Sequence, residues 1–200
     1  MKGFVDIGAS YDLIADRWLS DSFDQTNGIR QHKNALRFLK GGRRALNVGC
    51  GCSGRFNALL QGRGFLIDAV DISAKMIAFA REEQTAVRFF HADVCTWNIP
   101  EAYDFISAWD CLWHVPLVEQ AGVFERLCLA LNAGGVFLFS MGGLDYEEEK
   151  SDAAMGPELY YATLGIPKTL ELIERFGCVC RHLEYDQHPE THTYFIIQKR

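Results

Sequence analysis

The 200-residue sequence has no basic surplus: 20 Lys and Arg stand against 26 Asp and Glu, for a net charge of −6. Nucleic acid and anionic membranes both call for a basic face that displaces counterions, so neither is expected as a partner. Long apolar runs are missing too. Stretches such as Val136 to Met141 fall far short of the roughly 20 residues that a membrane helix needs. The opening residues, MKGFVDIGAS, hold no sustained apolar segment, so no signal peptide is expected. There is no repeat, low-complexity tract or Pro/Ser-rich linker, and this length leaves little room for two full-sized domains. One domain over 1–200 is expected. The 7 cysteines are an odd number, scattered through apparent strands and helices, whereas a disulfide scaffold is shorter and denser in Cys. Cys50/Cys52 and Cys178/Cys180 are spaced more tightly than zinc knuckles, so no metal is expected. The thiols read as reduced and the chain as cytoplasmic. What is present is core material: 48% of residues are apolar, which excludes disorder as the main state.

Apolar runs alternate with amphipathic stretches. Ala45 to Val48 ends in glycines, and Arg55 to Gln61 follows as a helix. Phe65 to Val70 ends at Asp71, after which Ser73 caps a helix through Arg81. Val87 to Phe90 is a third strand, ending near Asp93. Tyr103 to Ala108 is a fourth, before a helix from about Leu117 to Leu131 that Asn132-Ala133-Gly134-Gly135 closes. Val136 to Ser140 is a fifth. Continuous apolar strands alternating with helices imply a parallel sheet covered on both faces.

The ends break this pattern. Residues 9–40 carry helical periodicity (Tyr11, Ile14, Ala15, Trp18, then Ala35, Phe38, Leu39), giving an N-terminal helical lid over 1–40. Residues 141–167 read as an insert or lid; within its polar, acidic part, Gly142 to Gly156, Glu147 to Glu149 read as a solvated loop, or as part of a lid that selects a basic substrate. A helix over Lys168 to Phe176 precedes two strands, Val179 to Tyr185 and His192 to Gln198, joined by a hairpin-length turn at His188-Pro189. The expected fold is α/β: a doubly wound, mostly parallel, Rossmann-like seven-stranded sheet with an antiparallel C-terminal hairpin.

Gly49-Cys50-Gly51-Cys52-Ser53-Gly54 follows a strand and opens a helix. Glycines there let the backbone turn and approach a ligand. Alone, the string also matches a dinucleotide fingerprint. Asp71 stands at the end of the second strand, where a carboxylate can accept both hydroxyls of a ribose. Asp93, past the third strand, can accept from an adenine amine. Two acids at adjacent strand ends suit a nucleoside lying across them. Each has a plainer reading: Asp71 as a helix cap, although Ser73 serves better, and Asp93 as a turn residue.

With these residues in place the sequence resembles the class I S-adenosylmethionine-dependent methyltransferases, over most of its length. ALNVGCGCSGRF (Ala45 to Phe56) looks like the first motif, VDIS (Val70 to Ser73) like the ribose motif and HADV (His91 to Val94) like the adenine motif. YDFISAWDCLWHVP (Tyr103 to Pro116) and LNAGGVFLFS (Leu131 to Ser140) are similar to the fourth- and fifth-strand segments, and SYDLIADRW to a cofactor lid. The resemblance implies S-adenosylmethionine as cofactor. It implies Gly49, Cys50, Gly51, Ser53 and Gly54 along its methionine part, Asp71 on the ribose, and Ile72 packed on the adenine. Asp93 and Val94 would meet the adenine amine and ring edge, Trp109 and Asp110 the sulfonium and its amino group, and Tyr11 would close the pocket. Two positions depart from the pattern: Asn47 stands where the family often has an acid, and Ser53 precedes a displaced third glycine.

His114 is the candidate base, because an imidazole titrates near neutrality, with a satisfied structural histidine as the alternative. Asp110 is the second candidate catalytic residue. Tyr11, Trp109 and Met155 to Tyr161 are candidates for the substrate wall. Trp97, Trp109 and Trp113 could cage a cation, with core packing explaining Trp97 equally well. His182, His188 and His192 read as surface residues of the hairpin. No Asp/Asn-Pro-Pro-aromatic tetrapeptide ends strand four, which disfavours a DNA substrate. A small-molecule methyl acceptor is therefore the expected partner. The rivals are an NAD(P)-dependent oxidoreductase, for which little chain is left to build a separate catalytic domain, and a non-catalytic S-adenosylmethionine-binding protein. Oligomeric state is not legible.

Overall fold

A computed structural model describes residues 5–200. Residues 1–4, on which the leader reading and the first part of the lid partly rest, lie outside the described residues. The N-terminal region supplies α1 (Ile7–Ile14) and α2 (Ile29–Ala35), each followed by a short 3-10 turn. A Rossmann-like alternation follows: β1 (Arg44–Val48), α3 (Arg55–Gln61), β2 (Leu66–Asp71), α4 (Ala74–Glu83), β3 (Arg88–His91) and β4 (Tyr103–Ala108). Then come α5 (Leu117–Leu129), β5 (Leu131–Gly142), a hairpin of β6 (Glu148–Asp152) and β7 (Leu159–Thr163), α6 (Gly165–Arg175), β8 (Cys178–Tyr185) and β9 (His192–Lys199). The seven-stranded sheet runs β3-β2-β1-β4-β5-β9-β8. β9 pairs antiparallel with both β5 and β8, and the other pairs are parallel. The expected architecture is present.

Side chains alternate across the sheet and divide the core into two layers. Ala45, Phe105, Val136 and Leu138 face Phe56, Leu60, Met76 and Ile77 on the α3/α4 side. Leu46, Ile106, Phe137 and Phe139 face Val123, Phe124 and Leu127 of α5, with Leu172 and Ile173 of α6. Ser73 caps α4 as expected, its hydroxyl accepting from Met76 N at 3.1 Å.

Three local expectations are corrected. The glycines after α5 are not its cap: the helix ends at Leu129 and Leu131 already pairs with Tyr103. A Cβ at Gly135 would stand 2.8 Å from Asn132 O and 3.1 Å from Tyr103 O, so glycine lets β5 close on β4 where their register shifts. Glu147 to Glu149 is not all loop, because Glu148 and Glu149 belong to the strand Glu148–Asp152, zipped onto β7, whose Leu159 and Ala162 are buried. α6 also begins earlier than expected, at Gly165.

α1 and the 3-10 turn after it, Ala15–Leu19, are tied on two sides. Asp12 Oδ1 accepts from Ser73 Oγ at 2.5 Å and from Lys75 N at 3.0 Å at the start of α4. Ser10 Oγ and Arg17 donate to Glu158 O and Met155 O at 2.8 and 3.0 Å, reaching the β6–β7 hairpin. The helix therefore spans from the sheet's carboxyl edge to the hairpin.

Candidate active site

A cavity of about 970 Å³ opens between α1, the carboxyl ends of β1, β2, β3 and β4, and the β6–β7 hairpin. That volume is at the upper end of the range for small-molecule and cofactor sites. A switch in strand order beside β1 makes its carboxyl edge the expected crevice of an open α/β sheet. Gly49 and Gly51, with φ of +61° and +55°, turn the backbone along the wall. A Cβ at Gly49 would lie 2.3 Å from Cys111 Cβ, whereas one at Gly51 would meet nothing within 4 Å. The first glycine is a packing necessity; the second keeps the cradle open.

Asp71 Oδ2 accepts from Gly51 N at 2.8 Å and Oδ1 from Ser73 N at 2.9 Å. Each carboxylate oxygen has two lone pairs, so each retains one toward the cavity. Burial raises the pKa of Asp71, and the backbone N–H donors oppose that rise. Ile72, Asp93 and Val94 continue the wall. One oxygen of Asp93 is engaged by Cys95 N at 2.8 Å, in a turn of the kind its spacing suggested.

At the other end Tyr11 O–H donates to His114 Nε2 at 2.7 Å. His114 Nδ1 lies 2.8 Å from Tyr160 O, and a carbonyl can only accept, so the proton resides on Nδ1 and Nε2 is the acceptor. Trp113 Nε1 also donates to Nε2, at 3.0 Å. Burial lowers the His114 pKa to about 4, which leaves the ring neutral near pH 7. Trp18, Trp113 and Tyr161 complete an aromatic wall around this pair, with centroids 5.5 Å (Trp18–Tyr11) and 5.0 Å (Tyr161–His114) apart.

Asp110, at the tip of β4, holds a left-handed φ of +56°, the single non-glycine example among the described residues. Such strain persists only where the surroundings hold it. Ser140 Oγ accepts from Asp110 N at 2.7 Å and donates to Oδ1 at 3.1 Å, while Asn27 donates to Oδ2 at 3.3 Å. Near Asn27, Arg55 donates to Asn27 O at 3.0 Å and Ser53 Oγ at 2.7 Å, and stacks on Phe56 at 4.1 Å. Burial lowers the Arg55 pKa to about 10, and it makes no ion pair among the described residues. Trp109 Nε1–H is buried in the same wall with no acceptor. A guanidinium with no carboxylate partner of its own thus lies near Asp110 on the same wall.

Residues 45–135 match the family described as Methyltransferase domain. Phosphoethanolamine N-methyltransferase 2 of Caenorhabditis elegans is 28% identical over 116 residues, 55% of this chain and 26% of that protein. The match takes in only about a quarter of the length of the first curated relatives. Over that stretch, which runs from β1 into β5, the chain is similar to methyltransferase domains. Its fold is shared by the Burkholderia thailandensis 1,6-didemethyltoxoflavin-N1-methyltransferase, solved with S-adenosylhomocysteine, at a TM-score of 0.73 and 19% identity, over 96% of this chain and 84% of that one. An S-adenosylmethionine-dependent methyltransferase from Clostridium acetobutylicum gives 0.71 at 13% identity, over 96% and 98%.

From the matched stretch and the N-terminal helix, the cavity brings together Tyr11, Gly49, Cys50, Gly51, Asp71, Ile72, Asp93, Val94, Trp109, Asp110 and His114. Ser53 and Gly54, expected beside them, stand behind the wall. Gly54, with φ of +69°, turns the chain into α3, and Ser53 is taken by Arg55. Asn47, in the family's acidic position, is buried and donates to Asn57 Oδ1 at 2.9 Å; Asn57 donates on to Gln84 Oε1 at 2.8 Å. This amide chain braces the glycine loop from beneath. Trp97 packs on Phe90 at 5.0 Å, away from the cavity. Burial pushes the Cys50 and Cys111 thiols well up, so neither offers a thiolate near neutrality.

Sequence reasoning missed Arg55 and misread His192. His192 is not a surface residue: it is 7% exposed, between Trp109 and Trp113 at 5.3 and 5.6 Å. The pairing of β9 with β5 carries it inward, opposite Gly142. Arg55 had a positional signal as the first residue of the helix after the glycine loop.

Proposed function

We propose that this protein transfers the methyl group of S-adenosylmethionine to a small-molecule acceptor by in-line displacement. The observation that carries the reading is one cavity lined by the glycine cradle, by Asp71 with a free lone pair on each oxygen, and by the Tyr11–His114 pair. Arg55, without an ion pair among the described residues and near Asp110, supports the same occupant, since an α-amino acid end carries a carboxylate and an ammonium. In this reading Asp71 takes the ribose hydroxyls, Ile72 and Val94 bracket the adenine, and the free oxygen of Asp93 takes its amine. Asp110 takes the ammonium, while Arg55 takes the carboxylate. Asp110 thereby supplies the charge that Asn47 does not.

When bound, the cofactor supplies a methyl group activated on a sulfonium. The chain's own contribution is positioning and exclusion of water, which together account for much of such a barrier. The Tyr11 phenol points its proton at His114, leaving its oxygen lone pairs to receive the N–H or O–H of the acceptor. A neutral His114, locked by Tyr160 O, keeps that orientation through physiological pH.

Calorimetric titration with S-adenosylhomocysteine, followed by transfer from labelled S-adenosylmethionine to an acceptor panel, tests the reading. Phosphoethanolamine, for which several relatives are named, is the first acceptor to try. Binding in the micromolar range with transfer to one acceptor is expected; binding without transfer across a broad panel would leave only a cofactor-binding protein.

A further inference from the structure

Behind Asp110 lies a charged chain that the scheme above does not use. His192 Nε2 lies 2.9 Å from Asp110 Oδ1, and its Nδ1 meets Asp186 Oδ1. The Asp186 side chain is 1% exposed and also accepts from Gln31 Nε2 at 2.6 Å. Residues of α2, β4, β5 and the β8–β9 hairpin therefore converge on one imidazole. Among the described residues the charged groups that face it are Asp110 from the β4 tip and Asp186 from the β8–β9 turn. Trp109, Trp113 and Ser140 around the Asp110 end are neutral, as is Gln31 at the Asp186 end, and Arg55 lies beyond Asp110.

We propose that His192, clamped by Asp186, is a positioning residue that holds Asp110 Oδ1 and so presents Oδ2 to the ammonium of the bound cofactor. The proposal rests on the reading that Asp110 takes that ammonium. As an imidazolium, His192 donates to both acids at once. Once it loses a proton it can donate to only one. Asp186, the more deeply buried acid, keeps that bond, and a nitrogen lone pair then faces Asp110 Oδ1. Orientation is present below the His192 pKa and lost as pH rises through it; the two carboxylates move that pKa up, against the effect of burial. Asp186→Asn reverses the logic. An amide N–H can donate to Nδ1, so even a neutral ring keeps Nε2–H on Asp110.

The test is calorimetric titration of the full chain with S-adenosylhomocysteine and with 5′-methylthioadenosine, which lacks the amino acid end. His192→Phe is expected to weaken the first ligand at least about tenfold, the scale of one charge-assisted hydrogen bond, and the second less than about twofold. Retained binding of the second ligand shows that the variant folds. Between pH 6 and 9, Kd for S-adenosylhomocysteine should rise about tenfold more in the wild type than in Asp186→Asn. The ligand's own amine titrates identically in both, so the comparison isolates His192. A merely structural histidine would give parallel pH profiles and equal losses for the two ligands, which would overturn the proposal. If the wild type bound neither ligand, the cofactor reading would fall and this proposal with it; if it bound both and His192→Phe matched it, the proposal alone would fall.

Discussion

Replacing Asp71 by alanine removes the two carboxylate oxygens that face the cavity from the end of β2. Each already accepts one backbone N–H, from Gly51 or Ser73, and each has one lone pair left for a ribose hydroxyl. A hydrogen bond to a charged group contributes about 1.5–3 kcal/mol, so losing two costs about 3–6 kcal/mol. That corresponds to a loss of affinity between about 10² and 10⁴. The freed Gly51 N–H lines the cavity and rehydrates, while that of buried Ser73 loses its partner at a cost of about 1–3 kcal/mol, so the variant should fold with lowered stability. Asp71→Asn, with one acceptor oxygen and no charge, should weaken binding at least about tenfold. The assay is calorimetric titration with S-adenosylhomocysteine, with circular dichroism to confirm folding. A dissociation constant within about threefold of wild type for both variants would refute the placement of the ribose.

Tyr11→Phe should leave cofactor affinity within about threefold and lower kcat at least about tenfold, because it removes only the group oriented by His114. Equal losses in Kd and kcat would assign Tyr11 to cofactor binding instead. Gly49→Ala forces a side chain into φ of +61° and to within 2.3 Å of Cys111 Cβ. Strain and overpacking together should cost about 2–5 kcal/mol, lowering Tm by roughly 5–15 °C in a thermal melt; a shift below about 2 °C would show that the loop yields freely. Buried His32 donates from Nδ1 to Gly28 O and accepts at Nε2 from Ser107, and burial lowers its pKa to about 3. The folded pKa lies below the unfolded one, so as pH falls past about 6.5 the unfolded chain takes up a proton that the fold refuses, and stability is lost. Between pH 7.5 and 5.5 this amounts to about 1.4 kcal/mol. Urea denaturation of His32→Gln should show a pH-dependent loss smaller by that amount, and identical losses would contradict it.

How much could be read beforehand follows from where the information lies. Strand–helix alternation puts the ends of parallel strands on one edge, so Gly49, Gly51, Asp71 and Asp93 were legible as a group from local pattern, and the family resemblance added Asp110. The β6–β7 hairpin was not. Glu148 to Asp152 has no apolar alternation, and it becomes a strand only because β7, anchored by buried Leu159, offers it an edge. His192 and Asp110 are 82 residues apart, and their contact exists only through the β5–β9 register. Arg55 read as one residue of an amphipathic helix, because its significance is a missing partner, and periodicity does not report missing partners.

Competitive equilibrium dialysis is the most direct check on the account: the purified chain against S-adenosylmethionine and S-adenosylhomocysteine, with NAD and NADP in parallel. One equivalent of an adenosyl-sulfur compound held at micromolar free concentration, and neither dinucleotide retained, is the predicted outcome. A retained dinucleotide, with both sulfur compounds passing through at millimolar concentration, would contradict it.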